Sequence, residues 1–470
     1  MKTRPPFPSG IPKTRADSPY PHAKNAPRNE AHSERMVGPA LSESEYLSRQ
    51  IAFLGQLPED SLVLIPTNPV AYRSNDTAYP YRANSYMLYL CGWNEPEAVL
   101  MAHHEEAQWV TTLFVQPRDT KAELWEGRRV GAEGAASGWP VDRARSLADL
   151  SDSVSEILDG CETVYHLPDM NPELDELVSR AQGVELADPT PTLDDMRVIK
   201  SDAEVALIQQ SSDIASDAHI DAMRATSPGI AEWEIQSVIE ATFTARKSCW
   251  AYQSIVGGGD NATILHYKSN SDRIAEGNLV LVDAGCEVSG YASDITRTWP
   301  VSGSFSEPQR EIYELVLKAQ LAGIESCKVG NLWTSMHHAG SRVLAQGLID
   351  LGVLDCSLDE ALGEDFDGPF RDYFMHGTGH MLGLDVHDVG GGRQGDDGPE
   401  RRLEPGMVLT VEPGLYFGSW RDDLEIPERY SGIGVRIEDD VLVTVDGPVV
   451  LSSSCPKTIE EIEALVGSEG

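Results

Sequence analysis

The sequence predicts an α+β protein, in which a smaller α/β domain precedes a larger domain built on a mostly antiparallel, curved sheet with helices. At 470 residues the chain is too long for one ordinary hydrophobic core. Hydrophobic residues make up 41% of it and are spread along its length, which is typical of a globular protein. In the larger part, helical and strand patterns interleave without a regular βαβ rhythm. We expect a tail over 1–40, the α/β domain over 41–190 and the larger domain over 191–470.

The N-terminal tail has a composition of its own. Through residue 36 it is rich in proline, serine, asparagine and basic side chains, and it is poor in large apolar groups. Such a segment cannot bury enough surface to offset the entropy of ordering, which predicts a flexible tail. It has no apolar core of a secretory signal, and no run in the chain approaches the length of a membrane span. We therefore expect a cytoplasmic protein without a membrane partner.

The smaller domain should combine strands and helices. Runs rich in β-branched and aromatic residues predict strands, and runs with a helical apolar period predict helices. The predicted strands cover 61–66, 85–92, 97–102 and 109–115. The predicted helices cover 41–55 and 145–159.

The larger domain opens with a helix start signal. Ser201 and Glu204 have the spacing of a capping box, and the apolar side chains of Val205, Ile208 and Ile214 follow on one helical face. Further helices are predicted over 231–247, 307–327 and 332–350. Strands are predicted over 253–257, 264–267, 279–287, 291–300, 407–412 and 433–445.

The charge of the chain excludes some partners. Its net charge of −38 comes from 75 acidic and 37 basic side chains, and such a field repels nucleic acid and anionic membranes. It attracts cations, including metal ions and the ammonium end of a peptide. The simpler interpretation is an acidic coat that keeps the protein soluble, for example in a salty cytoplasm. The seven scattered cysteines contain no C-x-x-C pair, which argues against a disulfide framework or a cysteine zinc site.

Two aspartates eleven residues apart lie in strongly β-patterned apolar runs. Asp283 follows Leu279 and Leu281 on one face of a predicted strand, and the chain returns past Gly290 to Asp294. A hairpin there would place both carboxylates on neighbouring strands, about 4.5–5.5 Å apart at Cβ and close enough to share a metal ion. The alternative is that both are turn or edge residues.

Two glutamates occupy similar positions further along. Glu412 ends a predicted strand just before a Pro-Gly pair that would direct its carboxylate into a cleft. Glu438 lies two residues after Arg436 on the same strand face, where the arginine could orient it as a ligand. A surface glutamate and an ordinary ion pair between Arg436 and Glu438 are the alternatives. Ionised groups in apolar runs are costly unless compensated, which favours a cation site.

Histidines cluster in a glycine-rich segment. His376 and His380 have helical spacing, but the glycines between them argue against a stable helix and favour an irregular backbone that brings imidazoles to one point. His387 follows closely, and His266 ends another predicted strand. Together with the carboxylates, these histidines indicate an active site with divalent metal ions.

Several segments, as an ordered set, resemble the pita-bread metallopeptidases, and within them the aminopeptidase P family. The matching stretches in the larger domain are SIVGGGDNATILHY, LVLVDAGCEVSGYASDITRTWPV, FMHGTGHMLGLDVHDVG, RLEPGMVLTVEPGLY and YSGIGVRIEDDVLVT. In the smaller domain, RSNDTAYPYRANSYMLYLCGWNEPEAVL and AELWEGRRVG are also similar to that family. The resemblance covers about 41–465 and implies the pita-bread fold for the larger domain.

The resemblance implies a site for two divalent metal ions, with manganese the usual metal. The implied ligands are Asp283, Asp294, His380, Glu412 and Glu438. It further implies that His266, His376 and His387 line the substrate pocket as catalytic groups with Glu412, and that Arg436 supports the ligands. Tyr416 and Trp125 are expected to contact the substrate or a neighbouring subunit. An oxygen-rich set with one imidazole is compatible with Mn²⁺, while Co²⁺, Zn²⁺ and Fe²⁺ stay open.

The function implied is release of the first residue from peptides with proline in the second position. Two metal ions can lower the pKa of a shared water, so hydroxide would attack the carbonyl before proline, with Glu412 as the proton shuttle. A prolidase restricted to Xaa-Pro dipeptides is the nearest alternative. A creatinase-like enzyme without metals and a non-catalytic peptide-binding module are more distant ones. A homotetramer is a further implication of the resemblance.

Overall fold

The computed structural model describes residues 38–395 and 398–468. The tail predicted over 1–40 lies outside the described residues except for its last three positions. The boundary predicted between 190 and 191 stays a prediction. Within the residues described, no helix combines the length and the apolar character needed to cross a membrane.

The first part of the described chain forms a six-stranded mixed sheet with the strand order β6-β5-β4-β1-β7-β8. The strands of this part are β1 Ser61–Pro66, β2 Tyr72–Ser74, β3 Thr77–Ala78, β4 Val99–Glu105, β5 Gln108–Val115, β6 Arg143–Ser146, β7 Thr163–His166 and β8 Glu185–Ala187. The helices are α1 Glu43–Leu54, α2 Ser85–Cys91, α3 Thr120–Glu126, α4 Gly131–Gly138, α5 Leu150–Leu158 and α6 Pro172–Ser179. The short β2 and β3 pair with each other, outside the sheet.

The central strand β1 is apolar on both faces because helices cover both. Leu62 and Leu64 pack in one cluster with side chains of α5 and α6. Val63 and Ile65 point to the other face and pack in a cluster that includes α2. Because side chains alternate along a strand, a fully buried strand reads as a continuous apolar run. The predicted strands 61–66, 97–102 and 109–115 and the predicted helices 41–55 and 145–159 are confirmed at their centres.

The strand predicted over 85–92 is wrong, because this segment is helix α2. The side chain of Asn84 accepts a hydrogen bond from the backbone N–H of Met87 at 2.9 Å, which caps the helix start. Gly92 ends the helix with a φ of 66°, in the left-handed region that glycine adopts readily. The helix is buried almost all round, so its apolar run has no polar face to reveal the helical period.

The second part supplies longer helices and small antiparallel sheets. Its helices are α7 Thr190–Val198, α8 Asp202–Ala225, α9 Glu232–Ala245, α10 Glu307–Glu325, α11 Thr334–Asp350, α12 Leu358–Leu362 and α13 Ile459–Leu465. Its strands are β9 Cys249–Trp250, β10 Ile255–Gly258, β11 Leu279–Asp283, β12 Cys286–Val288, β13 Tyr291–Ala292, β14 Thr296–Pro300, β15 Val408–Val411, β16 Gly414–Phe417, β17 Ile433–Arg436, β18 Asp439–Thr444 and β19 Gly447–Val450. The capping box at Ser201 and Glu204 is present at the start of α8, as predicted.

The strands of the second part pair only with antiparallel neighbours, as predicted. The groups are β10-β11-β14, β13-β12-β9, β15-β18-β19 and β16-β17. Helices α8, α9, α10 and α11 pack on these strands around a buried cluster that contains Trp299 and Tyr313. The candidate site lies at the ends of strands β11, β15 and β17.

The strand predicted over 264–267 is wrong, since these residues form turns after a short 3₁₀ helix over Gly259–Thr263. The backbone N–H of Ile264 bonds to the carbonyl oxygen of Asn261 at 3.2 Å, and that of Tyr267 bonds to the carbonyl oxygen of Ile264 at 3.3 Å. These local bonds use the groups that a strand would offer to a neighbour. His266 therefore lies in an exposed turn and does not end a strand.

Candidate metal centre and active site

The first two carboxylates stand at one end of the β11–β14 pair. Asp283 is the last residue of β11, and its register partner on β14 is Thr296. Asp294 lies two residues before Thr296, just outside the paired strand, so the predicted hairpin sets the two aspartates close together but not directly opposite each other. The oxygen of the Tyr252 hydroxyl lies within hydrogen-bond distance of both carboxylates, at 2.5 Å for Asp283, and its one proton can be donated to either of them. Both side chains are nearly buried, and a shared donor holds them together.

Glu438 reaches the same place from the end of β17. Its backbone N–H bonds to the carbonyl oxygen of Thr296 at 3.1 Å, and its carboxylate accepts a bond from the Thr296 hydroxyl at 2.6 Å. Arg436, two residues earlier, points its guanidinium at Asp283, with Nη2 2.6 Å from a carboxylate oxygen. The ion pair considered between Arg436 and Glu438 is thus not the one formed. The arginine instead holds Asp283 from behind the cluster.

His380 and Glu412 are placed by backbone bonds between a glycine-rich loop and strand β15. The N–H of Glu412 bonds to the carbonyl oxygen of Thr378 at 2.7 Å, and the N–H of His380 bonds to the Thr410 hydroxyl at 3.1 Å. A side chain at Gly379 would put its Cβ 1.9 Å from the carbonyl oxygen of Thr410, so only glycine allows this approach. The loop over 376–380 is irregular, as predicted, and not helical.

Three ligand atoms converge. One carboxylate oxygen each of Asp294 and Glu438 and one ring nitrogen of His380 all lie within 4.8 Å of one another. The Nε2 atom of His380 is 3.3 Å from Asp294. Its Nδ1 bonds to the carbonyl oxygen of Met381 at 2.9 Å, which leaves Nε2 directed at the carboxylates. Such a set of one imidazole and several carboxylates suits a divalent cation.

The remaining histidines line the cluster at different depths. The Nε2 atom of His376 lies 2.7 Å from the Tyr416 hydroxyl, which also accepts a bond from Arg436 at 3.1 Å. The ring of His387 stands 4.2 Å from that of His380, measured between centroids. His266 is exposed, yet its charge acts on His387 and helps to lower the pKa of that imidazole, after the larger effects of burial and of His380.

Trp125 is a predicted site residue that the structure does not bring to the cluster. Its indole is 90% exposed on the short helix α3, beside Leu124, which is 80% exposed. In a single chain Trp125 is therefore a surface side chain.

The carboxylates of the cluster are too close together and too deeply buried to carry their charges uncompensated. Burial and the neighbouring carboxylates raise the pKa of Glu438 well above its ordinary value, and burial raises that of Glu412 to about 7. Burial would lower the pKa of His380, but Asp294 outweighs it and raises that pKa to about 9. Carboxylates packed this closely out of water must take up protons or share positive charge. The donor set therefore fits metal binding on its own chemistry.

Two groups of the site were missed by sequence reasoning. Tyr252 bridges Asp283 and Asp294, but a single tyrosine before a strand gives no signal of that role. Asp440 accepts hydrogen bonds from the backbone N–H of Asp294, the shorter at 3.1 Å, and from the Ser212 hydroxyl at 2.7 Å. The run Glu-Asp-Asp inside an apolar predicted strand was the available signal, since an acid buried beside a candidate ligand is costly unless it is hydrogen-bonded.

A buried carboxylate cluster with a histidine at the ends of antiparallel strands defines a metal-dependent hydrolase site. Residues 206–445 match metallopeptidase family M24, and residues 46–165 match the aminopeptidase P N-terminal domain. The chain belongs to metallopeptidase family M24, in the group that carries the aminopeptidase P N-terminal domain. The fold prediction, with its pita-bread domain, and the family resemblance are thereby confirmed.

Known relatives match nearly the whole chain. The chain is 43% identical over 429 residues to the Xaa-Pro aminopeptidase of Haemophilus influenzae, covering 91% of this chain and 98% of the relative. It is 40% identical to the Xaa-Pro aminopeptidase of Escherichia coli, with the same coverage. Among solved structures, aminopeptidase PepP of Pseudomonas aeruginosa superposes with a TM-score of 0.85 at 39% identity, covering 91% of this chain and 98% of that one. A zinc-substituted aminopeptidase P of E. coli, in complex with product, gives the same values.

Proposed function

We propose that this metallopeptidase releases the N-terminal residue from peptides whose second residue is proline. The observation that carries the proposal is the convergence of Asp294, His380 and Glu438, whose ligand atoms lie within 4.8 Å of one another. The relatives named Xaa-Pro aminopeptidase span the chain at 40–43% identity, which supports the same substrate class. The bond before proline is a tertiary amide, so an enzyme that cleaves it needs strong activation of both water and carbonyl.

Two divalent metal ions, with Mn²⁺ the first choice, would be held by the carboxylate cluster. The proposed ligands are Asp283, Asp294, His380, Glu412 and Glu438, of which Asp294 and Glu438 stand centrally. When bound, the metal ions would supply Lewis acidity toward water and toward the substrate carbonyl. Four carboxylates with one imidazole form an oxygen-rich set, which favours a hard divalent ion such as Mn²⁺ over a thiolate-seeking one.

Within this site we assign the proton transfer to Glu412. It is the more open of the two glutamates, with 19% of its side chain exposed, whereas residue Glu438 is 2% exposed. A carboxylate at the rim can take a proton from the attacking water and give it to the leaving proline nitrogen. The imidazoles of His387 and His266 would hold the substrate carbonyl, because both are exposed and the ring of His387 stands 4.2 Å from that of His380.

Two further groups support the ligands from the protein side. Arg436 neutralises Asp283 and bonds to the hydroxyl of Tyr416, which in turn meets His376. This chain of bonds fixes the direction of the carboxylate and of the imidazole. We assign Arg436 and Tyr416 to orientation of the site, and His376 to the wall of the substrate pocket.

The substrate assay separates this function from its nearest alternative. Purified protein is stripped of metal, reconstituted with Mn²⁺, Co²⁺ or Zn²⁺, and given Xaa-Pro-Xaa tripeptides, Xaa-Pro dipeptides and Xaa-Ala-Xaa tripeptides. We expect cleavage of the proline tripeptides that depends on added metal. Cleavage confined to dipeptides would instead assign a prolidase, and absence of metal-dependent cleavage would favour a binding module.

Assembly and location form a separate part of the proposal. We propose a homotetramer in the cytoplasm, in which the exposed Trp125 of one chain contacts a neighbouring chain or its substrate. The large apolar exposure of Leu124 and Trp125 supports an interface at helix α3. Sedimentation of the wild type and of Trp125→Ala tests it, since loss of an interface would lower the assembly state.

A further inference from the structure

The loop between His380 and His387 is anchored from outside the metal cluster. Its ends are tied by the backbone N–H of Asp388, which bonds to the carbonyl oxygen of Met381 at 2.8 Å. That same carbonyl oxygen accepts the bond from Nδ1 of His380 at 2.9 Å. Asp388 is therefore next to His387 in the sequence. It is also linked to the imidazole of His380 by two hydrogen bonds that share the carbonyl oxygen of Met381.

The carboxylate of Asp388 is held by two cations of the segment that leads into α8. Nη2 of Arg197 lies 2.6 Å from one oxygen, and Nζ of Lys200 lies 2.9 Å from the other. All three side chains are almost completely buried, at 1–2% exposed. Burial would raise the pKa of Asp388, but Lys200 and Arg197 outweigh it and hold that pKa below its ordinary value, so the carboxylate is charged.

The first part of the chain adds a second hold on the same loop. Asp385 accepts bonds from Arg197 at 2.6 Å and from the Ser85 hydroxyl of α2 at 2.7 Å. Arg82 bonds to the carbonyl oxygen of Leu384. Two segments distant in sequence, one with Arg82 and Ser85 and one with Arg197, thus bind the loop that carries His387.

The backbone at Gly383 packs closely against the side chains of Asp388 and Lys200. A Cβ at Gly383 would lie 2.3 Å from a carboxylate oxygen of Asp388 and 3.0 Å from a side-chain carbon of Lys200. The loop backbone at Gly383 therefore packs directly against the ion pair, with no room for a side chain between them. Buried ion pairs of this kind often contribute specificity of position more than stability.

We propose that Arg197 and Lys200, acting through Asp388, are positioning residues that hold His387 in place for the reaction. The proposal rests on the proposed function for the role of His387, but the anchoring itself depends only on the contacts of the loop. Supporting partners of a metal-site histidine usually change activity or metal affinity by about 10- to 100-fold.

The test variant is Asp388→Asn, which keeps the shape and removes the charge. We expect kcat on an Xaa-Pro tripeptide to fall about 10- to 100-fold at saturating metal, with a smaller change in KM. The control is Glu463→Gln, because Glu463 is a partly buried carboxylate, 28% exposed, that pairs with Arg310 at 2.9 Å and accepts a bond from the backbone N–H of Phe305, and neither partner belongs to this loop or to the segment around Lys200. The control should keep kcat near the wild-type value.

A double-mutant cycle separates positioning from general damage. If Asp388 acts through His387, adding Asp388→Asn to His387→Ala should leave kcat close to that of His387→Ala alone. An equal fold-loss from Asp388→Asn in both backgrounds would overturn the proposal. Should His387→Ala itself keep wild-type kcat, the role assigned to His387 fails and the proposal for catalysis falls with it.

A readout independent of activity is hydrogen exchange in the metal-free protein. Asp388→Asn should accelerate amide exchange over 381–388, while Glu463→Gln leaves that segment protected. Unchanged exchange would refute the anchoring. If the wild type cleaves no proline peptide but exchange still responds, the proposed function fails and the anchoring stands. Asp385→Asn, at a side chain 40% exposed, is the milder second variant and should shift exchange in the same direction.

Discussion

The hydroxyl of Tyr252 lies 2.5 Å from a carboxylate oxygen of Asp283 and bonds also to Asp294. This neutral hydroxyl thus stands between two buried acids that would otherwise repel each other, and it can donate its one proton to either of them. Burial, followed by the charges of Asp283 and Asp294, raises the pKa of this phenol well above its ordinary value, so it stays protonated and keeps donating. The relative position of the two aspartates therefore depends on a residue outside the proposed ligand set.

Replacing Tyr252 by phenylalanine should weaken metal binding. Without the shared donor the two carboxylates repel each other more strongly and lose their fixed direction, so we expect metal affinity to fall about 10- to 100-fold. Titration of stripped protein with Mn²⁺, followed by calorimetry, measures it. Tyr267→Phe is the control, because its hydroxyl donates to Glu232 at 3.0 Å instead of to this cluster. Equal affinities for Tyr252→Phe and wild type would contradict this role.

Asp294→Ala should abolish stoichiometric metal binding and lower activity by orders of magnitude. Asp294 is the carboxylate that meets both His380 and Tyr252, and its backbone is fixed by Asp440. Elemental analysis gives the metal content, and circular dichroism checks that the fold persists. Near-normal turnover in a folded variant would remove Asp294 from the ligand set.

Glu412→Gln tests the proton transfer. The amide keeps the size of the side chain and can still offer an oxygen to a metal ion, but it cannot exchange a proton at neutral pH. We expect kcat to fall roughly 10²- to 10⁴-fold, the usual contribution of general acid–base catalysis, with substrate binding largely kept. If kcat in a metal-loaded variant stays at the wild-type value, the shuttle must be another group.

Much of the site could be predicted because its residues break local rules. Asp283, Glu412 and Glu438 are acids at the ends of apolar strands, and that conflict is visible in the sequence itself. The glycines around His380 were equally informative, since the backbone there approaches Thr410 too closely for any Cβ. Local patterns also located α8 through its capping box.

The failures have different physical origins, in distant contacts, in burial and in local backbone bonds. Asp440 accepts a hydrogen bond from the backbone N–H of Asp294, which is 146 residues away in the sequence; the acidic run at Asp440 was visible in the sequence, but its partner was not. The segment over 85–92 is a helix because it is buried almost all round, so the period that separates helix from strand is missing. His266 lies in a turn because the backbone N–H groups of Ile264 and Tyr267 form local hydrogen bonds, whereas its apolar neighbours predicted a strand.

Metal affinity should rise with pH between about 6 and 9. In the metal-free chain His380 has a pKa raised to about 9, chiefly by Asp294 against the effect of burial, and burial raises that of Glu412 to about 7. A ligand must lose its proton to bind, so metal competes with protons at low pH and binding releases them. Calorimetry of Mn²⁺ binding in two buffers of different ionisation enthalpy measures the protons released at each pH. An affinity independent of pH over this range would contradict the protonation of the free site.

Salt should stabilise this protein more than it stabilises a protein of similar size with a small net charge. The net charge of −38 makes the folded chain repel itself, and salt shortens the range of that repulsion from about 10 Å at 0.1 M to about 3 Å at 1 M. We therefore expect Tm to rise when KCl is increased, most steeply at the low concentrations where screening changes fastest. Differential scanning calorimetry with KCl is compared with sucrose, which stabilises folded proteins by exclusion and screens no charge.

A variant with fewer negative charges tests whether the effect of salt on Tm comes from the charge of the surface. Glu364→Gln combined with Asp365→Asn removes two exposed negative charges from the loop after α12. It should raise Tm at low salt and reduce the slope of Tm against KCl, because less repulsion is left to screen. A variant with an unchanged slope and an unchanged low-salt Tm would mean that the acidic coat does not limit stability at this surface.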